Sequence, residues 1–400
     1  MKLYNLFILA CLFPTIISAN NPQEVVDGNN VFAFKLFHQV QGGTTGNQFY
    51  SPFSISTALA MTYAGARTET AQQIRQTLNF PQGKKFHSDY SQLLNGLVDG
   101  TDGKIKLNIA NGLWAQKNFK FLDSYFDIVK SDYHSELNNV DFTDNTEREK
   151  VRNDINVWVE EKTYDKIKNL LSQGDLTSMT RLVLVNAIYF YGDWSEPFEK
   201  QRTQPKDFTL IDGTKTNVPF MNQQKNYKYY EDSKIQAIEI PYKDNKASMV
   251  IFLPIKNKQM EEFENSFDYK YYQEITSAFQ STEVYLSLPK FQTTYKIDLS
   301  STLSQMGMPL AFAPSADFSG MTGNRDLCIS EVIHQAFINV DEKGTEAAAA
   351  TAVVGRLTAI RMPDKPKVFN ADHPFIFCIK DNTTGSILFM GKIMKPEVSK

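Results

Sequence analysis

The most unusual run of residue types in the chain is Glu342-Lys343-Gly344-Thr345-Glu346-Ala347-Ala348-Ala349-Ala350-Thr351-Ala352-Val353-Val354-Gly355-Arg356-Leu357-Thr358. Local propensity reads its alanines as helix. Strand alternation reads it differently: Thr345, Ala347, Ala349, Thr351, Val353 and Gly355 share one face, and none is large or charged. Glu346 and Arg356 fall on the other face. A strand of this kind can slide into a crowded sheet, since overpacking and desolvation stop only bulky or charged side chains on the buried face. Gly344 precedes it, where a backbone hinge would serve such a movement. The chemistry suggested is mechanical: the segment supplies a strand and no nucleophile.

Catalytic patterns do not compete with this reading. The chain has no G-x-S-x-G elbow, no H-E-x-x-H and no G-x-x-x-x-G-K-[ST]. His38, His87, His134, His334 and His373 are scattered, none with a second ligand at metal-binding spacing. We therefore expect no enzyme, metal or cofactor. The net charge of −3, with 42% hydrophobic and 22% charged residues, is that of an ordinary globular protein and argues against a nucleic-acid partner.

Lys2, the apolar run from Leu6 to Ile17 and the small pair Ser18-Ala19 form a signal-peptide pattern over residues 1–19. The run is short for a membrane span and carries Pro14. The expectation is a secreted protein without a membrane partner. Cys11 would leave with the signal. Cys328 and Cys378 lie in apolar strand-like runs and read as buried free thiols, with a single bridge between them as the alternative. Asn382-Thr383-Thr384, beside Gly385, is an N-x-[ST] sequon and makes Asn382 the candidate glycosylation site.

The elements that must carry the mobile strand come in two groups. Helical spacing predicts helices at Asn30–Val40, Ser54–Gly65, Thr70–Leu78, Tyr90–Val98, Ser124–Lys130 and Asn153–Leu171. Beyond Arg181 the pattern turns to strands: Leu182–Val185, Ile235–Ile240, Ala247–Leu253, Val284–Leu288, Ile333–Val340, Phe375–Ile379, Leu388–Met390 and Ile393. Helices first and strands later predict an α+β fold.

Several motifs, in order over nearly the whole length, resemble the serpin family. They are Phe49-Tyr50-Ser51-Pro52-Phe53-Ser54-Ile55, Leu184-Val185-Asn186-Ala187-Ile188-Tyr189-Phe190-Tyr191-Gly192-Asp193-Trp194, Ile333-His334-Gln335-Ala336-Phe337-Ile338-Asn339-Val340, Phe369-Asn370-Ala371-Asp372-His373-Pro374-Phe375 and Leu388-Phe389-Met390-Gly391. The hinge Glu342-Lys343-Gly344-Thr345-Glu346-Ala347-Ala348-Ala349-Ala350-Thr351 resembles that of inhibitory members. Departures are Tyr191, where lysine is common, and Asp165, where glycine or asparagine is common.

The resemblance implies a single domain over 20–400, with helices packed on a large mixed sheet, two smaller sheets and an exposed reactive-centre loop at about 342–366. It implies suicide-substrate inhibition: a serine protease acylates itself on the loop, and the cleaved loop enters the large sheet before the ester hydrolyses. It implies that Ser51, Ser54, Asn186 and His334 form a polar shutter beneath the opening. Trp194, Lys290 and Glu342 would form the breach where insertion starts, with a Lys290–Glu342 ion pair. Before cleavage Thr345 is expected outside the sheet. The expected partner is a serine protease, held covalently by an otherwise monomeric protein. A non-inhibitory member, acting as carrier, chaperone or storage protein, is the alternative. Glycosaminoglycan activation finds little support: Asp89, Asp99 and Asp102 dilute the stretch after Lys84 and Lys85, although Lys225, Lys228 and Lys234 offer another basic set.

The scissile bond follows from the upstream count. The fourteenth residue after Gly344 is Thr358, which makes Thr358 P1 and Ala359 P1′ and suits an elastase-like protease. Arg361 competes, because it leaves eight residues to Phe369 where Thr358 leaves eleven, and it would suit a trypsin-like S1 pocket. Arg356 would shorten the inserting strand. Mass spectrometry of the C-terminal peptide released from a protease complex decides between them. A peptide starting at Ala359 is expected; one starting at Met362 makes Arg361 the P1 residue.

Overall fold

The computed structural model describes residues 21–41, 46–99, 105–255, 259–345 and 365–398. The signal-peptide pattern, Glu346 to Ala350, Arg356, Thr358, Ala359 and Arg361 lie outside the described residues.

Ten α-helices are described: α1 Pro22–Gln41, α2 Pro52–Gly65, α3 Thr68–Thr77, α4 Phe86–Asp99, α5 Asp123–Tyr133, α6 Asn145–Lys162, α7 Met260–Ser266, α8 Tyr269–Ser277, α9 Ser300–Gln305 and α10 Ser319–Thr322. The helices α2 to α5 match the sequence expectation closely, whereas α1 begins at Pro22 and not at Asn30, and α6 begins at Asn145 and not at Asn153 and stops at Lys162 and not at Leu171. Thr163 caps it, and Tyr164 (φ 51°), Asp165 (φ 59°) and Asn169 (φ 54°) are left-handed, which an ongoing helix forbids. The left-handed backbone at Asp165 explains the glycine or asparagine common there. Ile167 and Leu170 are nevertheless buried, under chain that has left the helix.

Among the described residues fifteen strands make two sheets: β1 Gln48–Tyr50, β2 Ile105–Gln116, β3 Glu136–Val140, β4 Leu182–Asp193, β5 Gln204–Thr209, β6 Lys215–Glu231, β7 Ile235–Pro241, β8 Ala247–Pro254, β9 Gln280–Pro289, β10 Phe291–Asp298, β11 Glu331–Val340, β12 Gly344–Thr345, β13 Lys367–Asn370, β14 Phe375–Asp381 and β15 Ile387–Ile393. Helices and strands are less separated than expected, since β2 and β3 lie within the helical half.

The six-stranded sheet runs β10-β11-β12-β4-β2-β3 and mixes parallel with antiparallel pairs. The nine-stranded sheet runs β1-β15-β14-β8-β7-β6-β9-β13, with β5 on β6. The two smaller sheets expected are continuous here through the long β6. Phe220 to Tyr229 pair with β9, and Lys228 to Glu231 pair with β7. The fold is α+β, as the sequence predicts, with the main core between α1, α2 and the two sheets. Phe49 stacks on Phe389 at 5.0 Å in that core.

Among the described residues no helix is long and apolar enough to cross a membrane, and no group of three or more His, Cys, Asp and Glu side chains could hold a metal ion. Cys378 is buried, Cys328 is partly buried, and both are free thiols.

Candidate functional site

The site is a seam in the six-stranded sheet. β4 and β11 pair in parallel from Glu331↔Val183 to Phe337↔Tyr189. Above Phe337 they part, and the two-residue β12 fills the gap, antiparallel to both. Thr345 pairs with Val340 on one side and Gly192 on the other, and Gly344 pairs with Asp193. The expectation that Thr345 lies outside the sheet is therefore corrected: its side chain is fully buried. A Cβ on Gly344 would sit 2.1 Å from the Gly192 carbonyl oxygen, so glycine is required there by close backbone approach.

Trp194, Lys290 and Glu342 meet where the hinge enters. The Trp194 indole N–H donates to the Asp341 carbonyl at 3.0 Å, and the Trp194 backbone N–H donates to the Lys343 carbonyl at 2.8 Å. Lys290 Nζ donates to Glu342 Oε2 at 2.8 Å, and Thr203 Oγ1 donates to Oε1 at 2.9 Å. Burial pulls the Glu342 pKa upward, but the bonds from Lys290 and Thr203 outweigh it and hold the carboxyl below its ordinary value. With the Glu342 side chain only 6% exposed, this pair is more than a solvated surface contact; removing Lys290 would strand a buried carboxylate. Tyr242 completes the entrance. Its ring stacks on Trp194 at 4.6 Å, and its hydroxyl is hydrogen-bonded to Thr345 Oγ1 at 2.8 Å.

Lower down, Ser51, Ser54, Asn186 and His334 converge under the closed part of the seam. Pairing places Asn111, Asn186 and His334 in one row across β2, β4 and β11. Asn186 Nδ2 donates to the Ser54 carbonyl at 3.1 Å and also contacts Ser54 Oγ and Asn111 Oδ1. Asn186 Oδ1 accepts a hydrogen bond from His334 Nδ1–H. His334 Nε2 accepts the Ser51 backbone N–H at 3.1 Å. Ser51 caps α2 by accepting from the Ser54 N–H at 3.0 Å, and its hydroxyl donates to the Leu388 carbonyl at 2.6 Å. The ring must be neutral, because Nε2 is spent as an acceptor. Burial accordingly pulls the His334 pKa down to about 3, against a smaller upward pull from its bond to Asn186.

Asn111, Tyr242, Thr203 and Gly192 were not singled out from the sequence. Asn111 left a signal, a polar residue inside an apolar strand run; Tyr242 left none. The remaining candidates lie apart from the seam. Asn382 Nδ2 donates to the Asn245 carbonyl at 3.0 Å and Ser248 Oγ at 2.8 Å, so a glycan, which replaces one of its two hydrogens, would remove at least one of these bonds. Lys225, Lys228 and Lys234 each pair with a carboxylate, respectively Glu196, Glu239 and Glu262, which spends much of their charge locally.

A parted mixed sheet, a hinge seated in the gap and a satisfied polar cluster beneath it together make up the site. The family model described as Serpin (serine protease inhibitor) matches residues 27–396, and the chain belongs to the serpin family. It is 41% identical over 374 residues to the leukocyte elastase inhibitor of Xenopus tropicalis, covering 91% of this chain and 97% of that protein. It is 39% identical over 390 residues to Serpin B3 of Homo sapiens, covering 92% and 99%. Serpin48 of the insect Tenebrio molitor superposes with a TM-score of 0.84 at 32% identity, covering 94% of this chain and 99% of that one. Human thyroxine-binding globulin, solved with its thyroxine, superposes with a TM-score of 0.85 at 32% identity, covering 94% and 100%.

The neutral His334 predicts a pH dependence. The unfolded imidazole binds a proton below its ordinary pKa of 6.5, whereas the folded one does so only near 3. Its contribution is therefore complete above pH 6.5 and is lost as pH falls through that window. Denaturant midpoints at pH 7 and pH 5 should show wild type losing about 2 kcal/mol more than His334→Gln. Equal losses would mean that the ring is not held neutral.

Proposed function

We propose that the chain is a secreted, monomeric suicide-substrate inhibitor of serine proteases. The observation that carries the reading is β12: the first residues of the hinge already lie in the seam, antiparallel to both neighbours, as the head of a longer strand would. The target's serine attacks the P1 carbonyl, the peptide bond to P1′ breaks, and the loop stays attached as an ester on the protease. Residues after Thr345 then follow it between β4 and β11. At about 3.3 Å per residue, roughly fourteen residues carry the ester some tens of Å, and the protease is distorted before water can release it. In this reading Ser51, Ser54, Asn186 and His334 let the strands part and reclose, and Trp194, Lys290 and Glu342 hold the entrance. Thr358 remains the proposed P1. No glycosaminoglycan is required, and Asn382 is proposed as a glycosylation site only if its amide bonds can be displaced.

The thyroxine-bound relative supports the alternative of a carrier, since the same fold there holds a small molecule. The side chains at 345, 347, 349, 351 and 353 favour inhibition, because all are small and uncharged.

Mixing the chain with elastase-like and trypsin-like serine proteases should give an SDS-stable covalent band. Thr345→Arg should give cleaved chain and no such band, since a guanidinium cannot be buried unpaired in the seam. Thr345 being buried already, this variant should also melt about 3 °C or more below wild type. Cleavage of wild type by every protease, with no stable band, would leave the carrier reading in its place.

A further inference from the structure

We propose that the Tyr242 hydroxyl is the register pin of the inserting strand, a positioning group that selects Thr345 as the residue seated opposite Gly192. The inference rests on the inhibitory reading for its consequence and on the geometry of the seam for its substance.

Tyr242 is fully buried, with its ring between Trp194 and Phe190 at 4.6 and 5.0 Å. It reaches the sheet through the space left by Gly192, where a Cβ would stand 2.9 Å from Tyr242 Cδ1. Among the described residues the one hydrogen-bond partner of its hydroxyl is Thr345 Oγ1, at 2.8 Å. Burial without a charged neighbour raises its pKa, so the group stays a neutral hydroxyl and needs a hydroxyl or similar partner.

Two kinds of slip threaten a strand entering this gap. A slip of one residue turns every side chain to the other face and brings Glu346 against the Tyr242 ring, which desolvation already forbids. A slip of two residues keeps the small face inward and offers Ala347 in place of Thr345, as a slip of four would offer Ala349. Size cannot reject that slip, because alanine fits wherever threonine does. A hydrogen bond can: with alanine in that place the buried Tyr242 hydroxyl is orphaned, a penalty of about tenfold or more in the equilibrium between registers. Thr351 is the next hydroxyl on the same face, six residues on and too far for a small slip to reach.

The test uses Tyr242→Phe, Thr345→Val and Thr345→Ser in the full chain. Stoichiometry of inhibition should rise several-fold in Tyr242→Phe and Thr345→Val and return toward wild type in Thr345→Ser. The rate of loop acylation should not change, because the scissile bond is untouched. The double variant Tyr242→Phe/Thr345→Val should be no worse than either single one, as two halves of one bond require. Insertion is followed separately by nicking the loop with thermolysin, which forms no acyl-enzyme, and recording tryptophan emission and the rise in Tm. If wild type gives no SDS-stable band but inserts after nicking, and the Phe and Val variants insert severalfold more slowly, the inhibitory reading fails while the pin stands. Lower Tm in the variants with unchanged stoichiometry and unchanged insertion rate would overturn the pin and leave the bond a structural contact only.

Discussion

The arrangement depends on one parallel seam. β4 and β11 are neighbours in the middle of a six-stranded sheet, and their pairing from Glu331↔Val183 to Phe337↔Tyr189 is parallel. A single strand entering between them from the β12 end runs antiparallel to both, so one parallel ladder is exchanged for two antiparallel ones. Antiparallel pairing is slightly the more stable per residue, and the exchange doubles its length. In the proposed inhibitory reading the native sheet is a kinetically held state with a lower one within reach, and cutting the loop frees the strand that fills the seam.

Two devices hold the chain around the seam, a satisfied polar row and a close backbone contact. Burying Asn111, Asn186 and His334 in a row would be costly if any were unpaired, yet each is satisfied within the row or by α2. The entrance uses the opposite device, an absence of side chains. Gly344 lets β12 lie against the β4 backbone, and the room left by Gly192 is taken by Tyr242. Lys290 and Thr203 tie down the Glu342 carboxylate one turn of chain earlier, so the hinge enters from a fixed point.

Much of this was legible in the amino-acid sequence, and what was not has physical reasons. The helices α1 to α5 announce themselves by apolar spacing, and the small inward face from Thr345 to Gly355 by alternation alone. The family motifs located the shutter and breach residues, which the structure brings together in two clusters. The end of α6 was misplaced because Ile167 and Leu170 keep a helical spacing after the backbone has turned left-handed at Tyr164 and Asp165. β2 was missed because Asn108, Asn111 and Gly112 interrupt its apolar pattern, and Asn111 is polar because of what it faces across the sheet. The seating of Thr345 was misjudged because it depends on a gap between β4 and β11, a tertiary property that no local pattern contains. Tyr242 was invisible for the same reason: its partner is 103 residues away.

The claim that the seam admits the loop is tested most directly by a crystal structure of the chain cleaved within residues 346–364. The account predicts a new strand continuing β12 downward from Thr345, antiparallel to both β4 and β11, with no direct pairing left between Val183 and Glu331 or between Asn186 and His334. A cleaved chain in which β4 and β11 still pair in parallel along that stretch would contradict it.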